Sequence, residues 1–285
     1  MSSTKKDTSY STTFLVDNGS LRADSTLALR RVAKSLGARL ESEIVPVSLL
    51  HSSKVPPEKL GGTPAETFIP AVKRRLHAGA MAFRVLPFFF GPSRAFTEYM
   101  PERIDALKAQ NPDWASLDIP IADPLCDIAQ QPEDDRIARA LVERVDMTIA
   151  RHGLNRPSVV MVDHGSPAPE VSKVRNHVGG QLERLLGERC REFSVASMER
   201  REGSEYDFNE PLLETVLRQD GFSGGPVVVA LLFLSAGRHA GDNGDIAEIC
   251  ADAEKDYPQL KTFRTEPLGE HPLITDILVD RFVQK

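Results

Sequence analysis

The chain of 285 residues is poor in cysteine and tryptophan, with three of the former and one of the latter. Cys126, Cys190 and Cys250 are odd in number, far apart, and form no CxxC pair. This excludes a disulfide framework or a thiolate zinc site and fits a reducing compartment. Long apolar runs are also missing. The longest, PVVVALLFLSAG, is too short to span a bilayer as a helix and reads as a buried strand. The opening, MSSTKKDTSYSTT, lacks the apolar stretch of a signal peptide, so a cytoplasmic protein is expected, with no membrane partner. Nor is positive charge in excess. The formal net charge of −6 argues against a non-specific nucleic-acid binder. No HExxH and no short Cys/His cluster is present, so no metal site is written as a local motif.

What the chain does contain is a phrase written twice. TFLVDNGSLRAD near the amino terminus returns as VMVDHGSPAPEV, with Asn18 where His164 stands, 146 residues on. The similarity continues. Val32, Leu36 and Leu40 match Val178, Leu182 and Leu186, each set spaced as the buried stripe of a helix. EIVPVS and FSVASM follow as short strands, then AETFIPAVKRRL and LLETVLRQ as helices. RVLPFFFGPSRA and VVALLFLSAGRHA are apolar strands entering a turn with an arginine, and both halves end in a strand, an acidic-Pro-Leu turn and a helix carrying LVER or LVDR.

Each half therefore reads βαβαβαβα. Apolar strands alternating with amphipathic helices imply an α/β fold of two flavodoxin-like lobes, each a parallel sheet covered by helices on both faces. Residues 1–12 are expected to be a mobile tail, 13–153 the first repeat and 154–285 the second, divided near RHGLNRPS where Gly153, Asn155 and Pro157 break a helix. In such sheets ligands bind beyond the carboxyl ends of the strands, where the DHGS and SAGRHA turns lie. His164 and His239 are thus expected to converge on one cleft.

The two halves serve as references for each other. Asp17/Asp163, Gly19/Gly165, Ser20/Ser166 and Arg94/Arg238 recur and suit structural work in tight turns and helix caps. His164, Glu199 and His239 do not recur. They face Asn18, Leu49 or a neighbour, and Ala95. Two imidazoles and a carboxylate form a reasonable set for a borderline divalent metal, and they can also accept protons. Asp163 reads as structural, or as a partner orienting His164. His51, His77, His152, His177 and His271 have no matching partner and read as surface or helix residues, and the FFF at 88–90 reads as core.

VDHGSPAPEV followed by LLFLSAGRHAGDNGDI resembles the CbiX/SirB group of sirohydrochlorin chelatases, whose pattern is a strand, HGS, a helix and later an LPLFLxxGxH strand end. LPFFFGPSRAF in the first half fits it too, so the resemblance covers nearly the whole chain as two family repeats, hence two chelatase-like lobes. It implies ATP-independent insertion of Co²⁺ or Fe²⁺ into sirohydrochlorin or a related carboxylated tetrapyrrole, with Ni²⁺ a further candidate ion. The ion would be a substrate, and no cofactor would be tightly bound. The family's metal-handling histidines match His164 and His239, and its pocket acid matches Glu199. The first repeat lacks both histidines, which leaves one site, on the second repeat. Substrate carboxylates call for guanidinium partners, and Arg238, Arg200, Arg201 and Arg175 lie near the site in sequence, with Ser166 in the HGS turn as a further contact. The AGDNGDI segment opens a helix whose free N–H groups suit another carboxylate. A metal or tetrapyrrole carrier on the same fold is the alternative. The resemblance leaves open the metal, the pathway (cobalamin or siroheme) and the choice between monomer and homodimer.

Overall fold

The computed structural model describes residues 12–284. The tail expected at 1–12 lies outside the described residues except for Thr12, which opens the first strand. The elements run β1 (Thr12–Asp17), α1 (Ala23–Leu40), β2 (Ile44–Ser48), α2 (Phe68–His77), β3 (Phe83–Pro87), α3 (Met100–Lys108) and α4 (Arg136–His152). The second half continues with β4 (Ser158–Asp163), α5 (Pro169–Leu186), β5 (Phe193–Ser197), α6 (Leu213–Val216), β6 (Pro226–Leu231), α7 (Asp245–Asp256), β7 (Lys261–Arg264) and α8 (Pro272–Val283). Every strand pair is parallel. One sheet has the order β2-β1-β3 and the other β5-β4-β6-β7.

The first half was expected to have a fourth strand, and it has only one bridge, Val85 to Ile121. The chemistry of proline explains the loss. Val85 N–H donates to the Pro120 carbonyl and Ala122 N–H to the Val85 carbonyl, both at 2.9 Å. The next rung back needs an N–H from residue 120, which proline does not have. In the second half the equivalent strand carries no proline, and β7 pairs with β6 over four residues.

Alternation along the strands sorts the side chains into three cores. Phe14 and Val16 of β1 pack with Phe68, Val72 and Ile104 on the outer face of the first sheet. Val160 and Val162 of β4 pack with Val216 and Ile246 on the outer face of the second. The opposite faces, with Leu15 and Leu86 on one side and Val159, Met161 and Val228 on the other, share one core. The helices α1, α4, α5 and α8 fill the space between the sheets.

The closing helices cross over. Helix α4, which ends the first half, packs on β6 and α5, while α8, which ends the second, packs on α1 and β3. Polar contacts fix this exchange. Arg84 of β3 donates to the carbonyls of Arg281, Phe282 and Gln284 at the end of α8. Arg281, only 1% exposed, donates to the Pro124 carbonyl at 2.8 Å and to Gln131 Oε1 at 2.8 Å. Helix α4 stops at Gly153, whose φ of 60° is the left-handed conformation that glycine adopts without a Cβ penalty. Residues 153–157 form the loop between α4 and β4, and the packing runs across it.

Candidate active site

The carboxyl ends of β4 and β6 are neighbours in one sheet, and this brings together two histidines that are 75 residues apart in sequence (239 − 164). The His164 and His239 rings meet edge-on, 4.6 Å between centroids at 85°. Each ring already uses one nitrogen. His164 Nδ1 lies 3.0 Å from the Gly165 carbonyl, which can only accept, so Nδ1 carries the proton. His239 Nδ1 lies 2.6 Å from Asp245 Oδ2, and an ionised carboxylate again assigns the proton to Nδ1. Among the described residues neither Nε2 has a hydrogen-bond partner. Glu199 Oε1 stands 3.6 Å from His164 Nε2, with its side chain 59% exposed. Among the described residues no three His, Cys, Asp or Glu side chains are already gathered as a closed metal site. The arrangement is an open pair of nitrogens with a carboxylate alongside.

The turn that delivers His164 depends on glycine. Gly165 has φ of 87°, and a Cβ there would run into the Glu199 carbonyl. Gly19 repeats this, with φ of 90° and the Leu50 carbonyl in the same place. Backbone hydrogen bonds fix the correspondence: Glu199 N–H donates to the His164 carbonyl at 3.2 Å, and Leu50 N–H to the Asn18 carbonyl at 3.1 Å. Leu50, not Leu49, is therefore the counterpart of Glu199. Likewise Pro87 and Leu231 pair with Val16 and Val162, an offset of 144 (231 − 87) that sets Ala95 opposite His239.

A cleft of about 320 Å³ runs between the two sheet ends. Its second-half wall is His164 with the stretch from Leu232 to His239. The first half contributes Asp17, Asn18 and Phe88 to Phe90, among others. The FFF stretch is thus both core and cleft wall, because Phe89 and Phe90 are only half-buried.

Several expected contacts point elsewhere. Arg175 was expected to meet substrate, but it is 1% exposed and donates to Ser197 Oγ at 2.5 Å and to the Asn209 and Phe208 carbonyls at 2.7 and 3.1 Å. It faces inward because it shares the stripe of Val178 and Leu182 on α5. Arg200 is also engaged, held by Glu210 at 2.7 Å and Asp207 at 3.0 Å, so it braces its own loop. Ser166 is a turn residue: its Oγ accepts from Ala168 N–H, and its backbone is tied to buried Asn209. Asp163 does not orient His164. Its Oδ1 accepts from Gly165 N–H at 3.1 Å and Ser197 Oγ at 2.7 Å. Arg201 lies over the Tyr206 ring at 5.8 Å, and Arg238, with its side chain 72% exposed, lines the cleft.

Two positions that shape the site escaped the sequence reading. Asp245, in the segment read as free N–H groups, is the partner of His239, and an acid opening the helix after GRHAGDNG was the available signal. Asn209, fully buried, ties the turn after β4 to the loop after β5 through Ser166, Ser172 and Tyr206. His271, expected at the surface, is 5% exposed; it caps α8 and pairs with Glu143 at 3.2 Å, and burial holds its imidazole below the usual range. The cysteines are buried and free, with burial pushing the Cys126 thiol up to about 12 and Cys250 up to about 11, so neither supplies a thiolate ligand.

The two buried aspartates differ in their surroundings. Asp163 has Arg175 nearby, but burial still holds its carboxyl above the ordinary range. At the offset of 146, the counterpart of Arg175 is Leu29. Asp17 consequently has no guanidinium, its Oδ1 has no hydrogen-bond partner, and burial pushes it up to about 6. Because the folded value exceeds the ordinary 3.8, this carboxyl's contribution to stability is complete below about pH 3.8 and is lost as pH rises through about 6. Asp17→Asn is therefore expected to be more stable than wild type at pH 7, by on the order of 2 kcal/mol. Urea denaturation should show that advantage vanishing at pH 4, and a constant difference at both pH values would contradict the assignment.

The CbiX family model matches residues 158–285, the span that holds β4 through α8 and both histidines. The second half of this chain is thus similar to the CbiX family. Solved structures extend the likeness of fold to the whole chain. SirB from Bacillus subtilis with Fe³⁺ is 15% identical, with 95% of this chain and 93% of that one covered and a TM-score of 0.66. The sirohydrochlorin chelatase SirB from Bacillus subtilis subspecies spizizenii in complex with cobalt gives 15%, 95%, 92% and 0.65. CbiX, the terminal enzyme for biosynthesis of siroheme in denitrifying bacteria, gives 11%, 95%, 97% and 0.59. No curated protein sequence matches the chain. Outside the matched span, the first half shares the fold without the histidines. Among the described residues no helix is long and apolar enough to cross a membrane.

Proposed function

We propose that the protein inserts a divalent metal, Co²⁺ or Fe²⁺, into sirohydrochlorin or a related carboxylated tetrapyrrole, without ATP. The observation that carries this reading is the pair of adjacent imidazoles lining one open cleft, each with its Nδ1 held in a hydrogen bond. Neutral imidazole suits borderline ions of this class, and two ligands hold an ion loosely enough to give it up. The SirB structures with Fe³⁺ and with cobalt support that choice of ion.

In this reading His164 and His239 receive the ion as one substrate, and the ring nitrogens of the other then displace them. Each pyrrole N–H that loses its proton keeps the bonding pair on nitrogen, where it becomes a bond to the metal. Two protons leave for each divalent ion, so charge balances. Glu199, exposed beside His164, takes one proton to solvent, and a histidine relieved of the ion takes the other. Arg238, which lines the cleft, is left as the guanidinium partner for a substrate carboxylate. Every group in this scheme comes from one chain, with the repeat at 154–285 carrying the chemistry and that at 13–153 forming the facing wall.

The test is the absorbance change of sirohydrochlorin mixed with Co²⁺, Fe²⁺ or Ni²⁺, without nucleotide. The rate is expected to exceed the spontaneous one by at least about a hundredfold, within the range of positioned acid–base groups alone. Stoichiometric binding with no rate gain would point instead to a carrier.

A further inference from the structure

The first sheet also ends in a cavity, of about 300 Å³, that the scheme above leaves unused. Asn18, Leu50 and Ala95 line it, the residues that occupy the places of His164, Glu199 and His239. It is thus the first half's version of the metal-handling site, with the imidazoles and the acid exchanged for an amide and two apolar side chains. Leu50 is 36% exposed there, although it is a large apolar residue. Asn18 lines both this cavity and the cleft between the sheets, so the two spaces meet at that residue.

Arg94 lines the same cavity and corresponds to Arg238 on the other wall. Each guanidinium lies near one carboxylate without hydrogen-bonding to it, 3.7 Å for Arg94 and Glu98 and 3.8 Å for Arg238 and Asp245. Neither guanidinium has a hydrogen-bond partner among the described residues. This contrasts with Arg175 and Arg200, whose N–H groups are spoken for within the fold. Glu98 and Glu102 also line the cavity, but an exposed pair at i,i+4 such as Arg94 and Glu98 is weak and readily exchanged for another carboxylate.

Size points the same way. The cleft of about 320 Å³ lies at the small end of ligand pockets, and a tetrapyrrole with several acid side chains overfills it. The ring must continue past the cleft, and Asn18 marks a way out.

Resting on the function proposed above, we propose that the first-half cavity is an edge site for the substrate. One pyrrole ring lies against Leu50, and its carboxylate meets Arg94, while Arg238 on the facing wall takes a second carboxylate. The wall that lost the metal-handling groups thereby selects the tetrapyrrole.

Fluorescence titration of metal-free sirohydrochlorin against wild type, Arg94→Gln and Leu50→Glu tests this, alongside Co²⁺ titration by calorimetry. Arg94→Gln is expected to raise Kd about tenfold, the loss of one charge-assisted contact. Leu50→Glu, which places a like charge beside the substrate's carboxylate, should raise it at least as much. Co²⁺ affinity should be unchanged in both. Equal sirohydrochlorin Kd values for all three folded proteins overturn the edge site. Its failure is separable from that of the reaction: wild-type binding that Arg94→Gln weakens, but with no metal insertion, removes the reaction and leaves the edge site standing. Absence of any wild-type binding overturns both.

Discussion

His164→Ala and His239→Ala should each lower the rate of metal insertion by at least about a hundredfold, to near the spontaneous level. Two ligands leave no redundancy: with one imidazole gone the ion keeps a single protein nitrogen, and one of the two proton acceptors disappears with it. Both side chains reach the surface of the cleft, 46% exposed for His164 and 27% for His239, so the fold does not depend on them. Asp245→Asn sharpens the test. It removes the carboxylate that holds His239 Nδ1–H, and a fall of about ten- to a hundredfold in Co²⁺ affinity or activity is expected, as for other outer partners of metal-binding histidines. Retention of full insertion activity in either alanine variant would remove that histidine from the mechanism.

Arg175→Ala should lower the unfolding free energy by about 3–5 kcal/mol in urea denaturation. The guanidinium is 1% exposed and meets Ser197, Asn209 and Phe208, and Asp163 lies close by. Burial holds Asp163 above its ordinary range and Arg175 below its own, so desolvation outweighs their attraction. Such a pair contributes little net stability when whole, but removal of one member strands the other's charge and several carbonyls. Arg175→Met combined with Asp163→Asn should therefore recover part of the loss. Arg200→Ala provides the contrast. Its carboxylate partners Asp207 and Glu210 are exposed, and a cost within about 1 kcal/mol is expected. Equal losses for Arg175→Ala and Arg200→Ala would show that Arg175 is not the buried brace described here.

Much of this architecture was legible in the sequence because parallel strands are written as apolar runs, and the repeated phrase fixed where they end. His164 and His239 meet because β4 and β6 are adjacent, a consequence of strand order that the motif placement anticipated. The Glu199 counterpart became clear only from the Asn18–Leu50 backbone bond, since the loops differ in length between the halves. The missing fourth strand was a matter of one atom, the absent N–H of Pro120. The arginines misled for a different reason. Closeness in sequence places a residue near a site but does not say which way it points. For Arg175 the direction was available, since its spacing to Val178 and Leu182 puts it on the buried stripe. For Arg200 it was not, because its partners at 207 and 210 depend on how the loop folds back. Asp245 was hidden by its role, a capping-turn acid in sequence and a histidine partner in space.

The exchange of α4 and α8 between the sheets determines how a ligand reaches the cleft. For the walls to swing apart, α8 would have to leave β3 and α4 leave β6, opening the one core that both sheets share. If the function proposed above holds, the flat macrocycle enters edge-first, between walls tied together by that shared core.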